Sequence, residues 1–481
     1  MIGELSIAAV LFLAGMGALA PLGNRIPRVG RAWLAFPTGA AIYLLAVPLL
    51  IITTGTLDPI VALVLTGAVG AIGVVLGWRS GSFGGTSVAA SLIGLAVTVG
   101  VVLFTRSVHL TRLSPDSFRY LGVAVDLLRP DALDHVLPGH LVTRFIGYPS
   151  LLALHDLTDR RYLASMGPLF GVSGMGYLAW FLWSSTTQSL PSRRRVVLVV
   201  ASLALLATSN RFLYMMFYLN GHIEVAVFLL VAVSAIWLAV TLDEKAWAIP
   251  AGLALGVTVL FRPEMTLVAL IILVSVAASR ATMAVRIRLV VPLAVSTVVW
   301  YGIILWNHGA KGNEVSLTAP VFSGLVLVGL GIAGVLLGEL KALRGVARYA
   351  DIAMLVVMTV ALGVLIAIEP TVFVDSFTAT FHNLTRDGLW LFTWFGLLLL
   401  LPFGLVVARI PDGRLWSAPI MGFALAFWLL PLIREGAWRV GQGDSGNRIL
   451  SHFVAIVVAF LVLAAAEWPA RHNEDSPAPT R

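Results

Sequence analysis

The sequence predicts an all-α, polytopic helical membrane protein with about 15 spans. Two bulk observations and one pattern point there. Hydrophobic residues make up 59% of the 481-residue chain and charged residues only 12%, whereas a soluble domain has roughly a quarter charged residues. Apolar runs recur from Met1 to Glu467, and a helix needs about 20 apolar residues to cross a bilayer core. A soluble fold would leave these runs without a watery face. The Met1–Leu22 run does not begin on basic residues and more spans follow it, so it reads as a first span rather than a cleaved signal.

The spans are predicted near residues 2–22, 32–53, 59–78, 86–104, 162–183, 196–209, 222–241, 246–261, 264–279, 289–306, 322–340, 350–368, 389–408, 416–433 and 448–467. Two stretches are interrupted, one by Asn210–Arg211 and one by Arg262–Pro263–Glu264, and each suits two spans or a re-entrant turn. The chain divides into leading helices (1–104), a long connecting segment (105–161), a transmembrane core (162–467) and a polar tail (468–481) that reads as disordered. Basic residues mark every second loop: Arg25, Arg28 and Arg31, then Arg79, Arg193–Arg195, Lys245, Arg280 with Arg286 and Arg288, Lys341 with Arg344 and Arg348, and Arg409 with Arg414. Such loops face the cytoplasm, which puts the N-terminus outside and the tail inside. Trp33, Trp78, Trp183, Trp390 and Trp416 stand near span ends and read as interfacial anchors.

Composition also excludes functions. The chain has no cysteine, hence no disulfide, thiolate ligand or cysteine nucleophile. The net charge of +8 belongs to helix ends and lacks the dense basic run of a nucleic-acid binder. With the predicted topology, most of the 24 acidic residues and all of the nine His except His472 fall on the outer side. Beyond residues 105–161 they include Glu224, Glu264, Glu314, Glu369, Asp375, Asp387, Glu435 and Asp444. Carboxylates near a bilayer are costly, so a one-sided collection suggests a polar cavity there.

Residues 105–161 are too many for a simple connector. Two interfacial helices are predicted within them. The first, Pro115–Leu128, spaces Phe118, Leu121, Val125 and Leu128 along one face and stops at Arg129–Pro130; the second spans about Leu141–His155, interrupted by Arg144 and Pro149.

Four constellations could carry chemistry. Ser114-Pro115-Asp116 opens the first interfacial helix, where a carboxylate could deprotonate an incoming hydroxyl, with Arg119 and Tyr120 one turn away to hold substrate. The same residues make an ordinary capped helix start. Asn210, Arg211, Asn220, His222 and Glu224 interrupt an apolar stretch; His222 and Glu224, two apart, do not share a helix face and make a poor metal pair. Arg262 and Glu264 sit at membrane depth, where Arg is costly unless paired or facing a polar cavity, and its fork suits phosphate or carboxylate. Gly441-Gln442-Gly443-Asp444-Ser445-Gly446-Asn447-Arg448 leads into the last span with His452; glycines admit an anion to backbone N–H groups, and Arg448 could complete the site. This is neither a Walker loop nor a dinucleotide fingerprint, so no cofactor is expected. Asn383-Leu384-Thr385 matches a glycosylation sequon and carries no weight.

Taken together, these residues resemble the GT-C class of polytopic glycosyltransferases: Asp116 and Tyr120 in an extracytoplasmic segment, Tyr218–His222 at a mid-chain span, Arg262–Glu264 opening a later span, and Gly443–Arg448 before the final helix with His452. The resemblance implies a lipid-linked, polyprenyl-phosphate sugar donor, a glycan or lipid acceptor, and an active site on the extracytoplasmic face of a cell membrane. It also implies Asp116 as general base, inverting displacement, and Arg262, Arg448 and Arg211 as neutralisers of the leaving phosphate. The chain departs from the class in placing four spans before the acid, and in lacking an Asp-x-Asp or Asp-Asp pair near Asp116, so no metal is expected. The competing expectations are a transporter or flippase of lipid-linked substrates, a polymerase or ligase of lipid-linked glycans, and a noncatalytic scaffold.

Overall fold

A computed structural model describes residues 2–130, 132, 145–159, 162–187, 189–311, 318–338, 340–407, 410–433 and 436–474. Among these the chain is helical throughout, with no strand beyond one isolated backbone bridge. The leading helices are α1 (Ile2–Leu19), α2 (Arg28–Thr54), α3 (Pro59–Arg79) and α4 (Gly85–Val108), and the connecting segment carries α5 (Pro115–Leu127) and α6 (Gly147–Ala153). Then come α7 (Met166–Ser185), α8 (Ser192–Thr208), α9 (Asn210–Phe217), α10 (His222–Thr241), α11 (Ala248–Thr258), α12 (Glu264–Ala278) and α13 (Met283–Lys311). The last set is α14 (Thr318–Leu337), α15 (Lys341–Ala347), α16 (Ala350–Ile368), α17 (Pro370–His382), α18 (Thr393–Val407), α19 (Arg414–Ile433), α20 (Ser445–Ile449) and α21 (Val454–Glu474).

Eight of the described helices are long and apolar enough to cross a membrane, or up to 10 if each of two bent pairs counts as one span. The pairs are α8 with α9, bent by 68°, and α20 with α21, bent by 42°. The apolar faces of α3, α4 and α16 look outward through Val64, Ile93 and Val357, as lipid contact requires. At the centre, α10 is buried over nearly its whole length.

The loops sort to two ends of the bundle. At one end Arg25 meets Glu244 at 3.8 Å, Arg288 donates to the Lys245 carbonyl at 2.9 Å, and Arg280 meets Asp412 at 4.0 Å. Arg414 pairs with Asp351 there. At the opposite end of α1 and α4, Glu4 accepts from the Ser165 backbone and hydroxyl at 2.9 and 2.6 Å and faces Arg106 at 3.9 Å. The two interrupted stretches both turn at this second end. α11 rises to it, the chain reverses through Arg262, and α12 returns; α8 rises to it, α9 lies across it, and α10 returns.

Several expectations need correcting. The second interfacial helix is shorter than predicted, and every residue of α6 is buried. Gly147, Ser150 and Ala153 are small and Leu151 and Leu152 apolar, so the helix has no polar face to show to water and packs inside. Trp390 and Trp416 are fully buried rather than interfacial, whereas Trp78 is 76% exposed. The last helix continues past Trp468 to Glu474, because Ala464–Ala466 and Glu467 are strong helix formers. An unforeseen helix, α17, fills the segment after Glu369, with Pro370 at its first position. Arg144, Glu314, Arg409, Glu435, residues 141–144 and the tail beyond Glu474 lie outside the described residues.

The leading helices pack through glycine. A Cβ on Gly15 would lie 1.8 Å from the Ala35 carbonyl oxygen, and one on Gly39 1.7 Å from that of Leu11, so α1 and α2 touch backbone to backbone. Gly17 meets Gly70 and Gly73 across α1 and α3 in the same way. Lipid tails are as apolar as leucine, so such close approach supplies the van der Waals contact that holds membrane helices together. Gly39→Val should therefore lower the melting temperature of the detergent-purified protein, by about 1–3 kcal/mol of overpacking. Gly67→Val, on α3 with nothing within 4 Å of its Cβ, should leave it unchanged. Equal melting of the two variants would contradict this packing.

Candidate functional site

Backbone contacts first bring distant segments to one end. Ser114 caps α5 in a reciprocal box with Ser117, and Pro115 takes the first helical position. That start is anchored across the chain: Arg112 N donates to the Phe217 carbonyl at 2.8 Å, and Leu219 N to the Arg112 carbonyl at 3.3 Å. Tyr218 is thereby set beside Ser114, and their hydroxyls lie 2.6 Å apart. Gly221, at φ +76°, turns the chain into α10; a side chain there would crowd Tyr148. Gly147 N donates to the Leu260 carbonyl at 2.6 Å, which docks α6 under the turn that carries Arg262. Only glycine fits there, since a Cβ would meet Leu260 and Phe261.

The glycine-rich loop before α20 is held by side chains. Asp444 caps α20 through Asn447 N at 2.9 Å and also accepts from Arg439 N at 2.8 Å. Asn383 accepts from Gly441 N at 2.7 Å and donates to the Arg439 carbonyl at 2.8 Å. Asn447 donates to the Gly388 carbonyl and accepts from the Trp390 indole.

On this frame the side chains converge. Asp116 Oδ2 accepts from Arg448 Nη1 at 2.8 Å, with Arg119 3.9 Å from the other oxygen. Arg448 also reaches the Tyr218 hydroxyl and the Ser445 hydroxyl, each at 3.3 Å. One turn along α5 from Asp116, the buried Tyr120 accepts from Arg262 Nη2 at 3.3 Å. Arg262 Nη1 donates to Glu264 at 3.2 Å, and Nη2 lies 2.8 Å from His222 Nε2. Arginine can only donate, so His222 carries its proton on Nδ1 and donates it to His452 Nε2 at 2.7 Å. Burial works against the Arg262 charge, but Tyr120, Glu264 and Asp116 beside it raise its pKa above the ordinary arginine value. The Tyr148 hydroxyl, packed edge-on to Tyr120, is pushed well up by burial and then by Glu224, Tyr120 and Tyr218 nearby.

The predicted site residues separate into four groups. Asp116, Arg119, Tyr120, His222, Arg262, Glu264, Arg448 and His452 form the hydrogen-bonded or ion-paired cluster just described. Asp444, Asn447 and Asn220 build its frame, Asn220 by accepting from His222 N at 3.4 Å. Arg211 and Glu224 are buried beside it, and among the described residues none of the three Arg211 guanidinium nitrogens and neither Glu224 oxygen finds a hydrogen-bond partner. Asn210 is exposed, and none of the hydrogen bonds that tie the cluster together reaches it. Among the described residues no group of His, Asp and Glu is arranged to hold a metal ion.

Sequence reasoning passed over Ser114 as more than a cap, and saw in Asn383 only a sequon that carries no weight. Asn383 is 1% exposed, so its sequon is structural. Its signal was faint: Phe373, Phe377 and Phe381 repeat every fourth residue, marking a helix that delivers Asn383 to the site. Asn383→Ala removes two hydrogen bonds from the loop, each worth about 0.5–1.5 kcal/mol. Limited proteolysis near Arg439 should then be faster than in the wild-type protein; an unchanged rate would mean that the loop is held elsewhere.

Compared with known proteins, the chain matches no family model, no curated protein and no solved structure.

Proposed function

We propose that the chain is a membrane glycosyltransferase of the GT-C kind. It would move a sugar from a polyprenyl-phosphate donor to a glycan or lipid acceptor outside the cytoplasm. The observation that carries this reading is the 2.8 Å contact between Asp116 and Arg448, 332 residues apart. It joins an acid suited to take a hydroxyl proton to a guanidinium suited to hold a phosphate. Arg262 enters the same network through Tyr120. A helix at each of the predicted apolar segments supports the arrangement of about 15 spans. The segregation of basic loops to the far end supports an extracytoplasmic site.

The proposed reaction follows from competition for Arg448. In the free protein Arg448 is paired with Asp116. A donor phosphate arriving at Arg448 displaces Asp116, which is then free to accept the acceptor hydroxyl proton. The acceptor oxygen forms its bond to the anomeric carbon from the face opposite the phosphate. The carbon–oxygen bond to phosphate breaks, and its electron pair stays on the phosphate. Inversion follows from that single displacement.

A panel of radiolabelled polyprenyl-phosphate sugars, incubated with the protein in vesicles, tests the proposal. One donor should yield glycosidic product, and Asp116→Asn should reduce the rate by about 10²–10⁴-fold in protein that still folds. Full activity of that variant would remove Asp116 from the chemistry. A second reading, transport of a lipid-linked substrate, is favoured by the buried, unpartnered Glu224, since intramembrane carboxylates often line transport paths. Accumulation of substrate in sealed vesicles without glycosidic product would select it.

A further inference from the structure

Apart from the cluster, the leading helices and the connecting segment line a polar cavity of about 270 Å³. Glu4, in the first turn of α1, and Arg106, in the last turn of α4, stand in its wall 3.9 Å apart. Each sits where the helix dipole favours its charge. Both are largely buried, with side chains 5% and 15% exposed. At that distance they share no direct hydrogen bond. Ser165 N and Oγ both donate to Oε1 of Glu4, which leaves Oε2 as an acceptor facing Arg106. Arg106 Nη1 is buried and finds no hydrogen-bond partner among the described residues. His109, Asp159 and Tyr162 also line the cavity.

Tyr162 lines a second, apolar hollow as well, of about 700 Å³, along Leu113, Phe118, Leu121 and Val125. Helix α5 buries Tyr120, Val123, Ala124 and Leu127 on its inner side. Its Phe118 and Val125 turn away from the bundle and are 62% and 50% exposed. A helix at a membrane surface that is apolar on this side is suited to lipid rather than water.

We infer that the polar cavity and the apolar hollow together hold one zwitterionic, amine-bearing phospholipid. Its phosphate diester accepts from the Arg106 guanidinium, and its ammonium donates to Glu4 Oε2. The acyl chains lie in the hollow past Tyr162, against Phe118, Leu121 and Val125. The charges choose this headgroup. An unlike pair that is largely out of water and not hydrogen-bonded is matched on both sides by a zwitterion. An anionic head satisfies Arg106 but leaves Glu4 without a cation, and a sugar head supplies no charge to either. The occupant ties α1 and α4 to α5, the helix that carries Asp116, which gives the leading helices a role. The inference does not depend on the transfer reaction.

Binding is read as thermal stabilisation of the full-length protein in a polyoxyethylene detergent. Four lipids with the same tails are titrated: dioctanoyl phosphatidylethanolamine, dioctanoyl phosphatidylglycerol, glucosyl-dioctanoylglycerol and dioctanoylglycerol. The amine lipid should bind roughly tenfold or more tightly than each of the others, because each of those lacks at least one charge-assisted hydrogen bond. Arg106→Gln should weaken the amine lipid by a similar factor, and Glu4→Gln should remove its advantage over phosphatidylglycerol. Equal binding of the four lipids by the wild-type protein overturns the inference whether or not either variant folds. Phosphatidylglycerol binding as tightly as the amine lipid would make this an anion site, and the glucosyl lipid doing so would make it a sugar site; either result overturns it too.

Discussion

The ion pair between Asp116 and Arg448 is the contact on which the site depends. Asp116 lies in the first turn of α5, and Arg448 in α20, the short helix that precedes α21. Neither can be placed without the other elements: Ser114 and Tyr218 hold the Asp116 helix by hydroxyl contact, and the Arg112–Tyr218 backbone bridge sets its register. Asn383, Asn447 and Asp444 hold the loop that presents Arg448. A partly buried charge pair gains little net stability once desolvation is counted. Under the proposed reaction its use would be to hold ready a carboxylate and a guanidinium that separate when a phosphate arrives.

Around this pair the polar groups are arranged in chains rather than scattered. Arg262 leads through His222 to His452, and the direction of the hydrogen bonds is forced because the guanidinium has no acceptor. The two imidazoles tie the start of α10 to the segment before α21, so Arg262 is oriented by helices from both halves of the chain. Glycine helps make this possible at two of its turns. Gly147 admits the Leu260 carbonyl, and Gly221 supplies the left-handed turn into α10.

Much of this was legible in the sequence, for one physical reason. Water-seeking residues in apolar stretches are expensive, so Asp116, Arg262, Glu264, Asn447 and Arg448 stood out before their partners were known. The helical class was legible from the apolar runs. What could not be read was burial, which depends on neighbours distant in sequence. Trp390 and Trp416 occupy span ends as anchors would, yet both are enclosed. The segment after Gly147 follows an interfacial helix in a polar connecting segment, yet its small and apolar residues pack within the bundle. Asn383 resembled a glycan acceptor because a three-residue motif carries no information about the loop that its amide pins. Arg211 was legible as a polar interruption, but that its guanidinium finds no hydrogen-bond partner among the described residues was not.

The most direct measurement is a map of the protein in lipid nanodiscs with a bound prenyl phosphate, resolved well enough to place side chains. The account predicts phosphate density on the Arg448 guanidinium, with Asp116 turned away from it and open to solvent. Phosphate density at another place, with Asp116 still joined to Arg448, would contradict it.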